Sequence, residues 1–163
     1  MERLTTGLTS GMLAGAAGAT ALNAFTYAQQ AAKGTASSAT PDQAALAVVR
    51  AAGVDVPGDP DTEQNRLEGL GPLAGLAVGL AVGAVGGALR ALGIKIPIGL
   101  APVVLGLGAM TVSDSVMTAV GITDPRSWTP ASVVQDATPH LVYGVVTVLA
   151  LHRMDDPHTL QVS

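Results

Sequence analysis

Cysteine is missing from the 163-residue chain, aromatic rings number only four, and charged side chains are scarce. Without cysteine there can be no disulfides, no thiolate nucleophile and no cysteine-ligated metal centre. With Phe25, Tyr27, Trp128 and Tyr143 as its only rings, the chain cannot build a core from large aromatic side chains. Charged residues make up 12% of the sequence, against about 25% in soluble domains. A water-facing surface for a domain of this size would be hard to assemble from so few. The net charge is −4 and the eight Lys and Arg are scattered, which argues against a nucleic-acid partner.

What the chain has in abundance is small and aliphatic. Hydrophobic residues account for 48% and glycines number 20, and the mean hydropathy is +0.45. A bilayer core is crossed by about 20 apolar residues at about 1.5 Å rise each. Four segments approach that requirement, and we read spans over residues 6–29, 68–89, 97–120 and 131–152. The last two each enclose an aspartate, Asp114 and Asp136. The expected fold is therefore all-α: a four-helix transmembrane bundle, one membrane domain over residues 1–163. The first segment could also be taken for a cleaved leader at Ala19-Thr20-Ala21. Its weakly charged start and its interrupting Thr, Ser and Gly residues favour a retained helix.

Glycine recurs at every fourth position as Gly71, Gly75, Gly79, Gly83 and Gly87. In water each interior glycine costs a helix about 1 kcal/mol relative to alanine. In lipid, a stripe of small residues instead lets two backbones approach closely. The first span carries a matching stripe, Gly7, Gly11 and Gly15, so spans 1 and 2 are expected to pack face to face in a glycine zipper. Every fourth residue drifts by about 40° around a helix. Five glycines thus turn through more surface than one partner uses, which predicts a second close neighbour, either another span or another copy of the chain. Gly69-Leu70-Gly71-Pro72-Leu73-Ala74 mimics a dinucleotide fingerprint, but the polar EQNRLE before it cannot be the strand that motif needs.

Residues 33–66 form the one sizeable loop, and Thr40-Pro41-Asp42-Gln43 has the form of a capping box opening a short helix over 41–52. That amphipathic helix should lie on the bilayer surface or against the bundle. Arg90 and Lys95 crowd a short loop on the side that carries both termini, which places the termini in the cytoplasm of a plasma-membrane protein.

This topology brings polar residues to one depth, near the outer end of the spans. Asn23 and Tyr27 lie on span 1, Asp114 and Ser115 on span 3, and Asp136, His140 and Tyr143 on span 4. Asn65, Arg66 and Glu68 sit where span 2 begins. Ionisable groups at such depth are costly and face the bundle interior. Asp114 and His140 could be an interhelical clamp, with Tyr27 or Arg66 as other donors, or an ion, proton or polar-ligand site. A metal held by Asp114, Asp136 and His140 has suitable ligand types but no diagnostic spacing. Pro102 and Pro139 are expected to kink spans 3 and 4. The run His152–His158 reads as a solvated end.

SGMLAGAAGATALNAFTYAQQAA and PHLVYG together resemble a group of small actinobacterial multi-span membrane proteins without an assigned activity. The likeness covers span 1, the loop after it and part of span 4. It implies an integral membrane protein and adds emphasis to Asn23, Tyr27, His140 and Tyr143. With no catalytic constellation and no cofactor motif, the expected role is structural or accessory, with the bilayer as partner and a homo-oligomer or larger membrane complex as the assembly. The alternative is a small transporter or channel-like protein that handles an ion or proton at the Asp/His cluster.

Overall fold

The computed structural model describes residues 1–35 and 40–154, so the end of the chain beyond Met154 lies outside the described residues. Its helices are α1 (Glu2–Lys33), α2 (Thr40–Ala51), α3 (Pro60–Ala91), α4 (Ala101–Ala119) and α5 (Pro130–Met154), with a 3-10 turn at Pro125–Ser127. No strand occurs among the described residues.

The helix ends follow local chemistry. α1 stops at Gly34, whose φ of 63° is left-handed backbone that glycine tolerates. α3 starts at Asp59, whose carboxylate accepts from the Thr62 N–H at 2.8 Å, with Pro60 in the first turn. Hydrogen bonds from the Thr62 backbone and side chain hold that carboxyl below its ordinary pKa. α4 begins later than expected, because Pro97–Leu100 close a turn instead of a helix. Pro102 consequently falls in the first turn of α4, where its missing N–H breaks no helical bond, so no kink is needed there. Pro139 does lie inside α5, and Pro72 inside α3.

Successive long helices run antiparallel. α1 is the central element and packs most extensively on α3 and then on α5. α4 rests on α5 and touches α3 only lightly, and α2 lies along α3. Around the bundle the order is α3, α1, α5, α4, with a loose seam between α4 and α3.

Glycine determines how close α1 and α3 come. Gly7, Gly11 and Gly15 meet Gly87, Gly83 and Gly79 respectively, in antiparallel order. A Cβ on Gly83 would lie 2.6 Å from the Gly15 Cα, and one on Gly87 would lie 2.9 Å from the Gly11 Cα. The rest of the stripe does something else. Gly71 meets Pro41 of α2, where a Cβ would approach to 2.9 Å, and nothing lies within 4 Å of a Cβ on Gly75. Of the surplus for which a second close neighbour was expected, Gly71 seats α2, which is not a span, and Gly75 meets nothing within this chain. Glycines that the periodicity did not single out join the other helices. Gly18 forms a notch for Tyr143 and Thr147, and Gly106 and Gly144 let α4 and α5 approach.

Alanines and a few larger side chains fill the centre, and many of the large aliphatic residues face outwards. The core cluster is Ala14, Ala19, Leu105, Ala109, Tyr143, Val148 and Leu151. Leu13, Leu73, Val104 and Val134, one on each long helix, are between 48% and 64% exposed. Two of the described helices, α3 and α4, are long and apolar enough to cross a membrane. α1 and α5, also expected as spans, do not reach the same hydropathy. Thr, Ser, Asn and Gln punctuate α1, and Gln135, Asp136 and His140 punctuate α5.

Candidate functional site

The seam between α3 and α4 opens into a cavity of about 730 Å³, roofed by α2 and closed at one end by the loop before α5. Its walls are mostly apolar: Val48 and Val49 from α2, Leu73 and Val78 from α3, Met110 and Met117 from α4. Trp128 and Thr123 contribute from the connecting segment. Gly75 lies on this wall, which explains the open space beside it. The roof is pinned to α3 by polar contacts outside the cavity. Arg50 pairs with Glu63 at 3.5 Å, and the Gln64 amide donates to Asp42 at 3.4 Å. Two ionisable side chains line the cavity, Asp114 from α4 and Asp136 from α5.

His140 completes this group. Its Nδ1 lies 2.8 Å from the Asp136 carbonyl oxygen and 3.5 Å from the Asp136 carboxylate. A carbonyl oxygen only accepts, so in this contact Nδ1 is the donor. Pro139 has no N–H for the carbonyl of Gln135, and the same turn of α5 holds the His140–Asp136 contact. Asp114 lies near both Asp136 and His140. Two carboxyl groups from two helices therefore meet at one corner of an apolar cavity, with the His140 imidazole held against Asp136 behind them. Ion pairing, proton exchange and binding of a cationic or hydrogen-bond-donating group are all within their chemistry.

The remaining polar residues singled out in the sequence lie elsewhere. Tyr27 points outwards and is 57% exposed, so it cannot donate to Asp114. Arg66 donates to the Pro57 carbonyl in the α2–α3 connector and does not reach Asp114 either. Asn23 is half-buried on α1, with no hydrogen bond to the cluster among the described residues. Ser115 is exposed, and its neighbour Ser113 lines the cavity instead. Tyr143 is buried in the packing between helices, where its hydroxyl donates to the Gly79 carbonyl at 2.7 Å. One turn further on, Thr147 is wholly buried beside Gly18, and its hydroxyl has no hydrogen-bond partner among the described residues.

Among the described residues there is no group of three or more His, Asp and Glu that could hold a metal ion. The α2 roof, Ser113, Met117 and Trp128 carried no chemical motif in the sequence. They become wall residues only because α2 folds back on α3. No protein-family model, curated protein or solved structure matches the chain.

Proposed function

We propose that this chain is a multi-pass integral membrane protein with a structural or accessory role and no catalytic activity. In this reading α1, α3, α4 and α5 all cross the plasma membrane, and both termini lie in the cytoplasm. The observation that carries it is the inverted packing. Glycine, alanine and a few larger residues occupy the interior, while Leu, Val and Met cover the outside of all four long helices. Water would expel that surface, since soluble monomers rarely expose contiguous apolar patches beyond a few hundred Å². Acyl chains solvate it. At 32 residues each, α1 and α3 run about 48 Å, longer than a bilayer core. Their polar ends can therefore reach water on both sides.

Because the chain lacks cysteine, single-cysteine labelling tests this directly. In intact cells a membrane-impermeant maleimide should label Asp55→Cys. Thr5→Cys and Ile98→Cys should react only after permeabilisation. Leu13→Cys, exposed on α1 and not part of the cavity wall, should stay unreactive in both conditions. A reactive Leu13→Cys would contradict lipid embedding, and the opposite sidedness would overturn the cytoplasmic placement of the termini.

Asp114 and Asp136 on the cavity wall, with His140 against Asp136, favour a second reading, the handling of an ion or proton. Reconstituted protein should then carry an ion or proton flux that Asp114→Asn abolishes while helicity is retained. Absence of flux in the unmodified protein would leave the structural role alone.

A further inference from the structure

A second cavity, about 840 Å³, lies at the opposite end of the bundle from Asp114. It is walled by the start of α1, the end of α3, the α3–α4 loop, the first turns of α4 and the end of α5. The two cavities have opposite electrostatics. The first is lined by Asp114 and Asp136 with no Lys or Arg, and this one by Arg3, Arg90, Lys95 and His152 with Glu2 as its single acid. Three of the eight Lys and Arg of a net-negative chain meet here.

The floor is apolar, formed by Leu105, Val148 and Leu151, all buried in the bundle. The rim is apolar as well, in the loop that bears Lys95. Ile94 and Ile98 line the cavity and are 49% and 64% exposed, and Leu92 and Leu100 beside them are exposed too. A soluble anion would use the cations and gain nothing from four exposed aliphatic side chains around them. A molecule with an anionic head and a hydrocarbon tail uses both. The lysine stem fits the same arrangement, since it can lie along apolar surface while its ammonium stays at headgroup level.

We infer that this cleft is a binding site for an anionic phospholipid. Arg3 and Lys95, with Arg90, face the phosphate, and an acyl chain lies along Ile94, Ile98 and the Leu105–Leu151 floor. The inference rests on the membrane reading, which would put this cleft at the cytoplasmic interface, where anionic headgroups are concentrated and basic pockets between spans capture them.

The test uses the full chain purified in detergent, with native mass spectrometry and thermal unfolding as readouts. Phosphatidylglycerol should form a retained adduct and raise the unfolding temperature, and phosphatidylcholine should do neither. Removing one cation near a membrane surface costs about fivefold in affinity, so Arg3→Gln with Lys95→Gln should weaken phosphatidylglycerol binding about 25-fold. Both residues are exposed, so the variant keeps its bundle. Arg50→Gln with Arg66→Gln, at the other end, should leave the affinity unchanged. Equal stabilisation by phosphatidylcholine, equal stabilisation by inorganic phosphate, or no loss in the Arg3/Lys95 variant would each overturn the site. Failure of the membrane reading looks different, because such a protein would stay monodisperse in buffer without detergent.

Discussion

Gly75 and Gly83 belong to one stripe of one helix, yet their surroundings are opposite. A Cβ on Gly83 would press into the Gly15 Cα at 2.6 Å and the Gly15 nitrogen at 2.8 Å, both backbone atoms that cannot rotate away. The helices would have to separate, and overpacking of this kind costs about 1–3 kcal/mol. Gly83→Ala should therefore lower the thermal unfolding midpoint in detergent micelles. Gly75→Ala adds its methyl to open cavity wall, removes a helix-weakening glycine and should leave the midpoint unchanged or higher. Similar losses from the two substitutions would argue against the α1–α3 contact as described. The four-residue period places small residues along one line. Which of them touch a backbone depends on where α2 and α4 fall, and the period holds no trace of that.

Between elements, Tyr143 is the long-range fastener. From α5 it crosses the Gly18 notch of α1 and donates to the Gly79 carbonyl of α3, tying three helices with one hydroxyl. That carbonyl keeps its own helical partner, so removing the hydroxyl leaves no orphaned acceptor. Such bonds within membranes average about 0.6 kcal/mol and reach about 1.7 kcal/mol. Tyr143→Phe should reduce unfolding stability within that range, measured by denaturing-detergent titration, and keep the fold. A larger loss would mean that the hydroxyl supports more than this one contact. Sequence spacing grouped Tyr143 with Asp136 and His140, because all three recur at helical intervals along α5. Their directions diverge in the bundle: Asp136 faces the cavity and Tyr143 faces α1 and α3. Spacing assigns residues to a rough face of a helix, and only the neighbouring helices divide that face between two partners.

At the scale of the whole molecule, two cavities of opposite charge lie at opposite ends of a bundle that carries its aliphatic residues outside. The sequence by itself determined the helical content, the approximate place of each long helix, with α3 starting eight residues before the expected residue 68, and the glycine lines that make close backbone approach possible. Those properties are set within a few turns of chain, by hydropathy, by prolines at helix starts and by glycines at helix ends. The tertiary structure alone decided that α1 lies between α3 and α5, that α4 leaves a seam against α3, and that α2 roofs it. It also brought Asp114 beside Asp136 and His140 while turning Tyr27, Arg66 and Ser115 away. Lateral order among helices of similar apolar surface depends on contacts between residues far apart in the chain, and no local pattern encodes which neighbour each helix will meet.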